Sequence, residues 1–268
     1  MLAETFVLQA GAGPRVVCVH ANAGTSGQWR SLAETLAPRF DVRAPDLYDA
    51  GKGPAWRTPR LPTLSDEAAL VAPLLGREDA PAVLVGHSYG AAVALVAAVA
   101  HPGRVRALAL YEPTLFALID AQRPPPNDAD GIRRAVADAS AALDAGDADA
   151  AAARFIDYWM GDGAFAALPP SRQAPIAAAV TNVRRWAHAL TTEPTSLDAI
   201  ARLDMPILLM SGARSPASAQ GVTRLLTEAL PRAKKVVFDG VGHMGPVTHP
   251  SLVNPVIAAF LERLPGAS

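Results

Sequence analysis

Short apolar runs bounded by turn residues recur along the chain, at 16–20, 40–44, 82–85, 105–111, 207–211 and 234–238. Runs this short, rich in Val, Ile and Leu and flanked by Gly, Pro, Asp or Ser, predict buried strands. Phe6 to Leu8 predicts an added edge strand. Between most of them apolar residues recur at helical spacing, as in Leu32-Leu36, Leu64-Ala68-Val71-Leu75 and Val222-Leu225-Leu226-Ala229. Strands without a polar face that alternate with amphipathic helices predict a mostly parallel sheet covered by helices on both sides.

The alternation stops at Tyr111, and roughly 90 residues pass before the run at Ile207, too many for a loop in a compact domain. Ile132, Val136, Ala139 and Leu143 lie at helical spacing, as do Ala152, Phe155, Ile156 and Trp159, and then Ile176, Val180, Val183, Ala187 and Leu190. Asp147 and Ser171 fit helix N-caps. An all-helical insertion of three or four helices is therefore expected over 114–203, entered through the proline-rich 122–126 and left through 196–204. The core is expected over 1–113 and 204–268.

Composition narrows the function without naming it. A net charge of −1 carries no basic excess for nucleic acid or an anionic membrane surface. The longest apolar run, Ala91 to Ala100, is about half a membrane span, and Met1 to Gly13 lacks the basic and apolar regions of a signal peptide. Cys18, the one cysteine, sits inside an apolar run and excludes an internal disulfide. A cytoplasmic protein, a monomer or homodimer with a small-molecule substrate and no membrane or nucleic-acid partner, is expected.

Gly86-His87-Ser88-Tyr89-Gly90 follows the run 82–85 directly and precedes a helix-like stretch. This strand, Gly-x-Ser-x-Gly, helix order lifts a serine hydroxyl onto a sharp turn, where it is exposed for nucleophilic attack. Such a serine needs a base, and a carboxylate to orient the base. Of the six histidines, His243 lies in the glycine-rich turn Asp239 to Gly245 after the last apolar run, which puts its imidazole at the sheet edge where the serine turn also emerges.

With Val19 to Gly24 after an early strand, Gln28-Trp29, Ala44-Pro45-Asp46-Leu47, the serine turn and Gly242-His243, the chain resembles an α/β-hydrolase with a helical cap. The resemblance covers nearly everything outside the insertion and implies Ser88 as nucleophile and His243 as base. It also implies an oxyanion hole from the backbone N–H groups of Tyr89 and Asn22. His20 and Asp46 read as loop-fixing residues.

The acid departs from the family pattern. Relatives carry an aspartate in the turn after the strand at Ile207, but here that turn reads Gly212-Ala213-Arg214-Ser215-Pro216, and Ser215-Pro216 fits a helix N-cap with proline in the first turn. A subgroup of haloalkane dehalogenases places the acid one strand earlier, which matches Glu112 here. A carboxylate closing a wholly apolar strand is costly to bury without a partner. Asp239, or a dyad without a strong acid, stays open.

An apolar pocket is expected from Leu115, Phe116, Trp159, Met160, Trp186, His188 and Met244. The resemblance implies cleavage of a small or medium, largely apolar ester without metal or organic cofactor. Carbon–carbon bond hydrolysis, lactone hydrolysis or a receptor-like binding protein are the alternatives.

Overall fold

The computed structural model describes residues 5–265; the outermost parts of the expected core, 1–4 and 266–268, lie outside them. Seven strands form one sheet: β1 Val7–Ala10, β2 Arg15–Val19, β3 Asp41–Pro45, β4 Ala82–His87, β5 Val105–Tyr111, β6 Ile207–Gly212 and β7 Lys234–Phe238. Their order is β1-β3-β2-β4-β5-β6-β7. β1 pairs antiparallel with β3 and every other pairing is parallel.

Side chains alternate between two layers because successive residues of a strand face opposite sides. Val16 and Cys18 of β2 and Val83 and Val85 of β4 face a layer built with α1 (Arg30–Leu36) and α12 (Pro250–Glu262). Val17, Val19, Ala82 and Leu84 face the opposite layer, built with α2 (Leu64–Val71), α3 (Tyr89–Ala100) and α10 (Ala217–Ala229). Burial of Cys18 pushes its thiol well above the usual range, so it packs as a small hydrophobe.

Among the described residues, six helices fill the interval between β5 and β6: α4 Ala117–Gln122, α5 Asp130–Asp144, α6 Ala148–Met160, α7 Pro170–Val180, α8 Val183–Thr191 and α9 Leu197–Ala201. The longer four, α5 to α8, carry the periodic residues; α4 and α9 are too short for periodicity to reveal. The stretch 176–190 is two helices rather than one, interrupted at Thr181-Asn182. Asp147 caps α6 as expected, its side chain accepting from the Ala150 N–H at 2.8 Å. Ser171 does not cap α7: Pro169 takes the cap position and Pro170, with φ preset for a helix, starts it earlier. A short α11 (Gly245–Thr248) follows the His243 turn. No helix among the described residues is long and apolar enough to cross a membrane.

Candidate active site

The carboxyl ends of β2, β4, β5 and β6 and the turn after β7 converge at one edge of the sheet. Ser88 joins β4 to α3 with φ 56° and ψ −119°, a conformation unstrained only for glycine. Its flanking glycines make the turn possible. A Cβ on Gly90 would lie 2.3 Å from the Val19 carbonyl oxygen, and one on Gly86 would lie 2.5 Å from the Ala91 Cα. The turn is pinned by the Ser88 N–H donating to the Tyr111 carbonyl at 2.9 Å.

His243 Nε2 lies 2.8 Å from Ser88 Oγ and its Nδ1 lies 2.6 Å from Glu112 Oε2. A carboxylate only accepts, so the imidazole proton belongs on Nδ1 and Nε2 is free to accept from the serine hydroxyl. All three side chains are buried. Glu112 also breaks a local rule, having φ 44° although it precedes Pro113. That twist turns its carboxylate across the end of β6, where Oε1 accepts from the Gly212 N–H at 2.7 Å and from Ser215 Oγ at 2.6 Å.

Ser215 is thus not the helix cap expected of it. Pro216 occupies the cap position of α10, and the Ser215 hydroxyl is spent on the Glu112 carboxylate. The turn after β6 thus supplies a donor to the Glu112 carboxylate. Asp239 is exposed, and its rivalry with Glu112 finds no support, since His243 Nδ1 is already engaged.

His87, Gln28 and Tyr111 hold this arrangement, and the sequence reading missed their part in it. Burial pushes the His87 imidazole well below its usual range, helped by the nearby His243, so it stays neutral. Its Nε2 donates to the His243 carbonyl at 2.8 Å and its Nδ1 accepts from Gln28 Nε2 at 3.2 Å. Gln28 Oε1 in turn accepts from the Ala21 N–H at 3.1 Å, which ties the loop 20–24 to the His243 turn. Tyr111 donates to the Gly242 carbonyl at 2.8 Å. His20 and Asp46 fix loops as expected: His20 Nε2 accepts from the Leu47 N–H at 3.1 Å, and Asp46 accepts from the N–H groups of Ser26 and Lys52.

Asn22 and Ser88 share the wall of a chamber of about 1050 Å³. Tyr89 opens α3, so its N–H is among the helix donors that have no intrahelical acceptor. Phe116, Trp159, Met160, Trp186 and Met244 line the chamber. Leu115 and His188 do not. Leu115 is fully buried in the core as the chain bends after Pro113. On α8 the residues facing the chamber are Val183, Trp186, Ala187, Leu190 and Thr191, one helical stripe, and His188 falls outside it. Thr114, which sequence did not single out, also lines the chamber with a buried hydroxyl that has no partner among the described residues. Within the described residues no three His, Cys, Asp or Glu side chains gather to hold a metal ion.

A smaller cavity of about 290 Å³ lies beyond Asn22 and Trp186 and is lined by Tyr48, Asp49, Glu67 and Tyr89. Glu67 accepts from the Tyr48 N–H at 3.2 Å and the Tyr89 hydroxyl at 3.3 Å. Burial raises its carboxyl from 4.5 to about 8. Between those values the folded chain holds a proton that the unfolded chain has lost, so stability falls as pH rises from about 4.5 to about 8. In Glu67→Gln the single amide oxygen can accept from the Tyr48 N–H while the amide nitrogen donates to the Tyr89 hydroxyl, so both contacts persist without the charge, the second with its direction reversed. Urea titrations at pH 5 and pH 8 are expected to show the variant gaining on the wild type by about 2–4 kcal/mol over that window. A difference independent of pH would contradict the assignment.

A model of the family described as the alpha/beta hydrolase fold matches residues 14–250. The lipase LipV of Mycobacterium tuberculosis is 37% identical over 118 residues, 43% of this chain and 44% of that one, so the match spans less than half of that lipase. The pimeloyl-[acyl-carrier protein] methyl ester esterase of Chromobacterium violaceum is 29% identical over 260 residues, 96% of this chain and 98% of that one. The solved structure of an alpha/beta hydrolase from Sphaerobacter thermophilus is 26% identical, covers 95% of each chain and superposes with a TM-score of 0.68.

Proposed function

Because the chain belongs to the alpha/beta hydrolase fold family, we propose that it is a serine hydrolase that cleaves small or medium, largely apolar carboxylic esters through an acyl-enzyme. One observation carries the proposal: the buried line from Ser88 Oγ to His243 Nε2 at 2.8 Å and from Nδ1 to Glu112 at 2.6 Å.

Ser88 Oγ attacks the ester carbonyl carbon while His243 Nε2 takes the hydroxyl proton. Glu112 holds the ring in the tautomer that can accept it and faces the imidazolium that results. The N–H groups of Tyr89 and Asn22 stabilise the oxyanion. Collapse of the tetrahedral intermediate breaks the bond to the alcohol oxygen, which leaves with the proton from His243. Water then repeats the sequence on the acyl-serine, giving the acid and free Ser88.

The bond type is supported by two of the curated relatives, one named a lipase and the other a methyl ester esterase. An apolar substrate is supported by the chamber, whose walls include Ile132, Val136, Phe155, Ile156, Leu168 and Ile176. Its volume is at the upper end of small-molecule sites, which suits a medium acyl arm. Helices α4 to α8 supply residues to the chamber wall and act as its cap.

Turnover of p-nitrophenyl esters from acetate to palmitate, alongside lactones and vinylogous diketones, tests the assignment. The expected profile peaks at medium acyl length and exceeds turnover of the other two classes. A preference for the diketones would instead mark a carbon–carbon bond hydrolase, and binding without turnover a receptor.

A further inference from the structure

The imidazole of His243 carries an aromatic cover that the hydrolytic cycle does not require. The indole of Trp159 stacks on it with ring centroids 4.0 Å apart and planes at 25°. Trp159 comes from α6, in the insertion, and its position is fixed by its neighbours. The rings of Tyr158 and Phe155 meet it edge-on at 4.9 Å and 6.4 Å. The Tyr158 hydroxyl lies 2.7 Å from Ser218 Oγ on α10, which fastens this end of α6 to the core.

An indole face is electron-rich and attracts a cation held over it, more strongly when both are shielded from water. Neutral imidazole gains only packing from such a face. In the proposed cycle His243 becomes an imidazolium as Ser88 attacks, so the stack strengthens at the step where charge appears. The other groups facing the ring are few among the described residues. Glu112 at Nδ1 is the counter-charge, His87 at 5.3 Å is kept neutral by burial, and Ser88 is uncharged. On the ring's own turn Asp239 is exposed, and the Tyr111 hydroxyl donates to the Gly242 carbonyl rather than to the ring.

We propose that Trp159 is a positioning residue for the hydrolysis assigned above: its indole holds the His243 ring in line with Ser88 and stabilises the charged form, so that the insertion contributes directly to the strength of the base. The proposal rests on the Ser88, His243 and Glu112 assignment.

Fluorinated tryptophans placed at position 159 alone withdraw electron density from the face while leaving its size nearly unchanged. With 5-fluoro- and then 5,7-difluorotryptophan, the plateau of kcat/KM for a p-nitrophenyl ester is expected to fall stepwise, within about two- to thirtyfold overall, with the loss in kcat rather than KM. Weaker stabilisation of the cation is expected to move the acid limb of the pH profile stepwise to lower pH. Trp159→Phe, which keeps a ring, should retain more activity than Trp159→Leu. A profile indifferent to fluorination, with Phe and Leu variants equally impaired, would overturn the proposal and leave Trp159 as a space-filling residue. Reaction of the wild type with a fluorophosphonate probe separates this failure from the other: no adduct on Ser88 overturns the hydrolase assignment and the proposal with it.

Discussion

Glu112→Gln is expected to lower kcat for an ester by about 10⁴ while leaving KM and the folded state nearly unchanged. The size of the effect follows from the tautomer. The carboxylate accepts from His243 Nδ1 and thereby leaves Nε2 free to take the Ser88 proton. A glutamine retains one oxygen for the Gly212 N–H and the Ser215 hydroxyl, so the turn after β6 keeps its anchor. Its amide nitrogen then faces Nδ1 as a donor. That reverses the tautomer and points an N–H at the serine that needs a base. Asp239→Asn, at an exposed position with no role in this hydrogen-bond line, should change kcat less than twofold. Steady-state kinetics on both variants, with circular dichroism to verify folding, decide the assignment. A large loss in Asp239→Asn with a small one in Glu112→Gln would reverse it.

Ser88→Ala is expected to have a larger effect still, about 10⁶ in kcat, because no neighbouring group can form the acyl intermediate in its place. The same residue illustrates a cost of the site to the fold. At φ 56° and ψ −119° any side chain is strained, and that conformation is required to lift the hydroxyl toward His243. Ser88→Gly is therefore expected to be as inactive as Ser88→Ala and more stable by about 1–2 kcal/mol in urea titrations. Equal stability of the two variants would mean that the turn stores no strain at Ser88.

Much of this was legible in the chain because the signals are local. A strand buried on both faces writes a continuous apolar run, so β2, β4, β5 and β6 could be located to within a residue or two. The serine turn announces itself because its two glycines answer steric contacts with the Val19 carbonyl and the Ala91 backbone. His243 was picked out by its place in the glycine-rich turn, and Glu112 by the resemblance to relatives whose acid lies one strand earlier, supported by the cost of burying an unpartnered carboxylate at the end of an apolar strand.

The misses are those where a local signal served a distant partner. Ser215-Pro216 has the letters of a helix cap, yet its hydroxyl belongs to a carboxylate on another strand. His87 sits inside the serine motif, but its work is done on the His243 carbonyl and with Gln28, contacts that exist only after the sheet assembles. Leu115 neighbours the site in sequence and faces the core in space, since the direction of the bend after Pro113 is set by packing. The stacking of Trp159 on His243 likewise depends on how α6 settles over the sheet edge, which periodicity alone does not specify.

The central claim is that Ser88 is a nucleophile activated by a buried His243 and Glu112. Intact-mass and peptide analysis after reaction with a fluorophosphonate probe tests it most directly. The expected result is one adduct per chain, on Ser88, absent from Ser88→Ala and formed far more slowly by His243→Ala. An unmodified wild type, or an adduct carried elsewhere while Ser88 stays free, would contradict it.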